Sequence, residues 1–330
     1  MIDVLLLVAL PASGKSEVRR FLDHLGPEVL ATKYGLRRSC QFDDYPYVEF
    51  MRWVDEVSIR RLHNGPLFYQ GPETPFADPH EWGTLVELVN DDVLGNLACP
   101  EEPADLARWM FRRIDEAEIR AGARLKLGRL PADVQEAMVA DLVASHRTPG
   151  MSEAKKLLRP RAKAPFRLGD GTTIIEFARG GPHGATLPLD PPRGYRYAFG
   201  RLAPQILERA SILYLKVTPE ESRRKNLERA LPPPGVDDSS MFHGVPTCVM
   251  LADYGCDDLE YLMGLDGGNS VRIDAHGHAY HLPAAVFDNT RDLTSFIRKE
   301  KSPDHWSEAD KAAIQAGLDS AFGKLPATGR

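Results

Sequence analysis

The sequence predicts an α/β fold, a parallel sheet interrupted by a large helical insertion, on three observations. An apolar run, Val4–Val8, opens the chain ahead of a turn rich in small residues and a stretch with helical spacing at Val18, Phe21, Leu22 and Leu25. Strand-like runs return at 172–177, 211–217 and 284–287. Between these blocks, from 46 to 165, the apolar residues fall at helical rather than strand period.

Taken in order, the first strand and helix are followed by Cys40-Gln41-Phe42, a short strand that delivers Asp43 and Asp44 at its end. Helices are predicted over 47–62, 85–97, 104–121 and 131–145, the third with Leu106, Met110, Ile114 and Ala117 on one face. Pro131 suits a first helical turn and Thr148-Pro149-Gly150 a stop. Residues 155–167 are basic and broken by Pro160 and Pro165, as a linker would be. A helix over 220–230 closes at Pro232-Pro233-Pro234-Gly235, the stretch 237–281 gives no assignment, and helices are expected over 292–300 and 308–322. The expected organisation is a core of 1–45 and 166–330, with a lid near 218–235, and a helical insertion over 46–165 serving an acceptor or a partner.

With 330 residues, 43% of them hydrophobic, the chain can bury a sizeable core. A formal charge of −6 argues against wholesale binding to nucleic acid or an anionic membrane. The first apolar run lacks a basic leader, and Lys15 follows too soon for a membrane span. Cys40, Cys99, Cys248 and Cys256 form no Cys-x-x-Cys pair, so neither a zinc spacing nor a disulfide framework is expected. The reading is a reduced, cytoplasmic protein without a membrane segment.

Residues 9–16, Ala9-Leu10-Pro11-Ala12-Ser13-Gly14-Lys15-Ser16, match the Walker A pattern with Ala9 in place of the first glycine. Small residues allow backbone N–H groups to curl around phosphate oxygens, and the helix behind presents its positive end to the same anion. Pro11, Ala12, Ser13, Gly14, Lys15 and Ser16 are therefore the expected ATP contacts, Lys15 reaching the terminal phosphates and the Ser16 hydroxyl ligating Mg²⁺. Context separates this from a chance Gly-Lys-Ser: the motif follows a strand and opens a helix.

On these residues, and on Phe42-Asp43-Asp44-Tyr45, the chain resembles the nucleoside, nucleotide and polynucleotide kinase branch of P-loop NTPases, over 1–45 and pieces of 170–300. The resemblance implies a three-layer α/β/α fold and γ-phosphoryl transfer from ATP to a hydroxyl. It makes Asp43 and Asp44 the acceptor-side carboxylates, one to take the acceptor proton and the other to orient it. It also implies a lid in which Arg223, Arg224 and Arg229 close on the transferring phosphate or its acceptor. Glu176 occupies the place of an acid that holds Mg²⁺ through water, Arg179 is a substrate contact, and Asn289 and Arg291 are candidates for the base. Bland alternatives stand beside these roles: a helix cap for the Asp pair, a solvated Glu/Arg helix for the lid, and a structural Glu176–Arg179 pair.

Other signals are set aside. Asn289-Thr290-Arg291-Asp292 lacks the lysine of a guanine-reading motif, and His276, His278 and His281 fit an exposed alternating strand as well as a metal site. The basic residues Lys155, Lys156, Arg159, Arg161, Lys163 and Arg167 read as a solvated linker before they read as a polynucleotide track. The sequence thus predicts an ATP-dependent kinase acting on a small-molecule, nucleoside or polynucleotide hydroxyl. The rival is a nucleotide-gated ATPase that engages a protein partner, followed by a P-loop protein that has lost catalysis.

Overall fold

The computed structural model describes residues 1–62, 65–95, 100, 102–145, 152–158, 166–230, 244–300 and 302–326. Along the chain the elements are β1 (Val4–Val8), α1 (Lys15–Leu25), α2 (Pro27–Tyr34), β2 (Ser39–Asp43), α3 (Tyr45–Leu62), α4 (Glu81–Leu94), α5 (Pro103–Ala121), α6 (Ala132–Ser145) and α7 (Ser152–Lys156). They continue with β3 (Thr172–Phe177), α8 (Gly194–Gly200), α9 (Pro204–Leu207), β4 (Ala210–Lys216), α10 (Pro219–Ala230), α11 (Thr247–Ala252), α12 (Leu259–Leu265), β5 (Ser270–Ala275), β6 (His278–Asp288), α13 (Ser295–Lys299) and α14 (Glu308–Phe322). The predicted α/β class is what forms, with a six-stranded, mostly parallel sheet. The expected stops at 148–150 and 232–235, and the linker residues Arg159, Arg161 and Lys163, lie outside the described residues.

Contacts divide the chain into one unit of Met1–Phe42, Phe166–Ala230 and Asp253–Arg330 and another of Asp43–Pro165 and Leu231–Ala252. The sheet of the first unit runs β2-β3-β1-β4-β6-β5. β1 lies parallel to β3 and to β4, with Val8 level with Phe177 and Tyr214, and β4 lies parallel to β6, with Lys216 level with Asp288. Every residue of β1 and β3 is buried; β1 is the unbroken apolar run expected of a parallel strand covered on both faces, whereas β3 also buries Thr172, Thr173 and Glu176. On one face Leu5 and Leu7 pack with Phe21 and Leu22 of α1 and with Ile314 and Leu318 of α14. From β1 the chain goes to β2 at one edge, returns to β3 beside β1, and then crosses to β4 on the other side of β1, a reversal of strand order. Open α/β sheets bind ligands in the crevice such a reversal leaves beyond the strands' carboxyl ends.

β5 and the first half of β6 were not foreseen. They form an antiparallel hairpin, Ser270 opposite Pro283 and Ala275 opposite His278. His276 (φ 52°) and Gly277 (φ 76°) make its two-residue turn, both in the left-handed region that such turns demand. His276 Nε2 lies 2.9 Å from the Leu202 carbonyl and His281 Nδ1 3.0 Å from Asp266. Among the described residues no group of three or more His, Cys, Asp or Glu side chains is placed to hold a metal. No described helix is long and apolar enough to cross a membrane.

The second unit is helical. Asp55 of α3 accepts the N–H groups of Leu67, Phe68 and Tyr69, which fixes the loop that follows the helix. Between α4 and α5 the fully buried carboxylates of Glu81 and Glu118 share one ammonium, Lys126, whose Nζ is 3.1 Å from Glu118 Oε1 and also bonds Glu81. Burial, and then for Glu118 the neighbouring Glu81 charge, push both carboxyls above their ordinary range. One cation cannot compensate two buried carboxylates, so the pair retains a proton that the unfolded chain releases near pH 4.3. The folded state then binds more protons than the unfolded one, and stability falls as the pH rises from there towards the raised value. The melting temperature is expected to drop between about pH 5 and the raised Glu118 value of about 8, and Glu118→Gln to flatten that slope; an equally steep slope in the variant would refute the shared proton.

Candidate functional site

Residues 9–14 bridge the end of β1 and the start of α1. Positive φ falls at Ala12 (55°) and Gly14 (102°) and not at Ala9, so alanine is tolerated where the motif usually has glycine. Gly14 caps α1, and a Cβ on it would sit 2.4 Å from Thr294 Oγ1 and 3.0 Å from Asn289 Nδ2. The first bond of the helix runs from Val18 N to Gly14 O at 2.9 Å, so the N–H groups of Ser16 and Glu17 precede the intrahelical ladder. Lys15 is half-buried and Ser16 exposed at this end, while Pro11 and Ser13 are buried. The Ser13 hydroxyl has no hydrogen-bond partner among the described residues.

Three side chains hold the loop by its carbonyls. Tyr195 Oη donates to Ala9 O at 3.0 Å, Ser222 Oγ to Pro11 O at 2.7 Å, and Asn289 Nδ2 to Ser13 O at 2.7 Å. They come from α8, from α10 and from the loop after β6, and all three are buried. Asn289, expected to meet a base, is instead fully buried beneath the loop. Its Nδ2 also donates to Thr294 Oγ1 (2.9 Å) and its Oδ1 accepts from Leu293 N (2.6 Å), which leaves no face for a base. Arg291, two residues on, is exposed.

Glu176, on β3, is buried, and its partner is Arg19 of α1 at 2.9 Å rather than Arg179. Gln41 of β2 adds a hydrogen bond of 3.2 Å. Arg179 is buried too, its Nη1 donating to Ala178 O (2.6 Å) and its guanidinium lying 5.0 Å from the Phe177 ring centroid. Its backbone N–H donates to the Tyr195 hydroxyl at 3.3 Å, so Arg179 supports the group that holds Ala9.

On α10 the arginines differ. Arg224 is clamped bidentately by Glu221 (2.7 and 2.5 Å), bonds Glu228, and lies 3.6 Å from Asp292. Arg223 follows the loop-gripping Ser222; its Nη2 donates to Glu220 at 2.8 Å, while Nη1 is buried with no hydrogen-bond partner among the described residues. Arg229 is exposed at the far end of the helix. Lys225, absent from the sequence reading, is buried and pairs with Asp292 at 2.7 Å, tying α10 to the loop after β6. Burial opposes ionisation of Asp292, yet the Lys225 ammonium and the Ser295 hydrogen bonds hold its carboxyl below the ordinary range.

Asp43 closes β2, and its Oδ1 accepts the Tyr45 N–H at 2.8 Å, an Asx turn that starts α3. Asp44 is buried, and its carbonyl accepts from Tyr47 N (3.1 Å) and Val48 N (3.2 Å). Set against family models, curated proteins and solved structures, the chain matches none.

Proposed function

We propose that the chain is an ATP-dependent phosphotransferase of P-loop type, with a three-layer α/β/α core, that moves the γ-phosphoryl group to a hydroxyl of a small-molecule, nucleoside or polynucleotide acceptor. The observation that carries this reading is the loop 9–14, which joins a buried parallel strand to a helix N-terminus with Gly14 left-handed and Lys15 opening the helix. Such a loop offers N–H groups and a positive helix end to a polyphosphate. Its place beside the strand reversal supports the same reading.

In that reaction the acceptor oxygen forms its bond to the γ-phosphorus as the bond to the β,γ-bridging oxygen breaks, and ADP leaves with the electron pair. The proton of the acceptor passes to a carboxylate, the role assigned to Asp43 or Asp44. Arg223, with one nitrogen uncommitted, is the arginine suited to the charge that spreads over the transferring group; Arg224 is held by carboxylates and stiffens the helix. Mg²⁺ would be held by Ser16 and, through water, by Glu176, and would neutralise phosphate charge. The donor set fits only with phosphate oxygens completing the shell, because Glu176 already faces Arg19.

The test is ATP consumption screened across nucleosides, sugars, aminoglycosides and 5′-hydroxyl oligonucleotides. Turnover is expected to rise with one acceptor class. In that assay Asp43→Asn or Asp44→Asn, and Arg223→Ala, are each expected to lower kcat by about 10²-fold or more with little change in ATP affinity, and Arg224→Ala to change it far less. Turnover indifferent to every acceptor but raised by a protein partner would favour a nucleotide-gated ATPase, a reading to which the size of the helical unit lends weight.

A further inference from the structure

The three grips on the loop share a regularity. They take the carbonyls of residues 9, 11 and 13, every second one, from three separate elements. In a planar trans peptide the carbonyl of one residue and the N–H of the next point in opposite directions. Holding the oxygens of Ala9, Pro11 and Ser13 against Tyr195, Ser222 and Asn289 therefore turns the N–H groups of Leu10, Ala12 and Gly14 away from those side chains. Resting on the nucleotide reading above, we infer that Tyr195, Ser222 and Asn289 are positioning residues that preset the phosphate cradle, each acting through one backbone carbonyl and none touching the nucleotide.

Each grip is itself supported. Tyr195 receives the Arg179 N–H on its hydroxyl and gives its own N–H to Asp258 Oδ1 at 2.7 Å. The preceding Gly194 (φ 76°) admits that carboxylate, since a Cβ there would lie 2.5 Å from Asp258 Oδ2. Ser222 lies one turn before Lys225, whose pair with Asp292 ties α10 to the loop after β6. Asn289 is locked by Thr294 and Leu293, and its own N–H donates to Lys216 O at the end of β4 (2.9 Å). The loop is thus tied to the elements following three strands of the sheet, and its shape is set before any ligand arrives. A preset cradle spares the ligand the ordering cost that a mobile loop would impose on binding.

Tyr195→Phe and Ser222→Ala each delete one hydroxyl and add no atoms. Calorimetric titration with Mg-ATP and with inorganic tripolyphosphate is expected to show Kd raised about 3- to 10-fold by each, the range one net hydrogen bond spans. The factors should match for the two ligands, since the grips shape the phosphate site and not the base site, and should multiply in the double variant. Tyr214→Phe is the comparator: it deletes a largely buried hydroxyl that bonds Asp257 at 3.0 Å and none of the grips, and its Kd should equal that of the wild type. Wild-type Kd in folded Tyr195→Phe and Ser222→Ala would overturn the inference, as would equal losses in Tyr214→Phe. If Tyr195→Phe fails to fold, Ser222→Ala alone decides. Failure of the nucleotide reading itself looks different: the unaltered protein would bind neither ligand, and Lys15→Ala would match it.

Discussion

Lys15→Ala is expected to cut ATP affinity by about 10- to 100-fold, the worth of a hydrogen bond to a charged group, and turnover by substantially more. Lys15 is the first residue of α1, immediately after the left-handed Gly14, so its backbone belongs to the end of the helix that favours an anion. The ammonium adds a point charge to partial charges that stay in place when it is removed. Binding should therefore weaken without vanishing, whereas transfer should suffer more, because charge on the phosphate oxygens redistributes as the bond to the leaving group breaks. Titration of Mg-ATP and single-turnover transfer separate the two effects. The folded protein should melt at nearly the unaltered temperature, since Lys15 is only half-buried. Unchanged affinity together with unchanged turnover would remove the phosphate-binding role of the loop.

How much of this was legible in the sequence follows from how far apart the interacting residues lie. The strand, loop and helix around 4–25 are contiguous, and their signals are local: an apolar run, small residues, then helical spacing. The same holds for α14, whose span of Glu308–Phe322 matches the predicted one. The β5–β6 hairpin does carry a strand signal, Val271 and Ile273 alternating with exposed Arg272 and Asp274, but the run is short and follows the closely spaced glycines Gly264, Gly267 and Gly268, which break the local pattern. His276-Gly277 is a turn signal by its chemistry, but in the sequence the spacing of His276, His278 and His281 overlays it. The grips had no local signature at all. Tyr195 lies 186 residues from Ala9 and Ser222 lies 211 from Pro11, and a buried hydroxyl carries no mark of the carbonyl it will find. The partner of Glu176 was misplaced for the same reason: Arg179 is near in sequence, but Arg19 reaches it from α1.

Gly14→Ala is expected to abolish nucleotide binding and to lower the melting temperature, for two separable reasons. At φ 102° an alanine pays the left-handed penalty of about 1–2 kcal/mol whatever surrounds it. Its Cβ would also sit 2.4 Å from Thr294 Oγ1, the hydroxyl that accepts from Asn289 Nδ2 at 2.9 Å, so relief of the clash means moving the residue that locks the grip on Ser13. Crowding of this kind costs a further ~1–3 kcal/mol. A second substitution distinguishes the two contributions. Adding Thr294→Ala to Gly14→Ala removes the colliding oxygen and should recover part of the lost melting temperature, while Thr294→Ser, which keeps that oxygen, should recover none. Mg-ATP binding should stay impaired in both double variants, because the backbone strain persists in each and, with Thr294→Ala, Asn289 also loses a partner. Wild-type affinity in Gly14→Ala would mean that the left-handed turn serves only the fold, and the loop would then have no special claim to a phosphate.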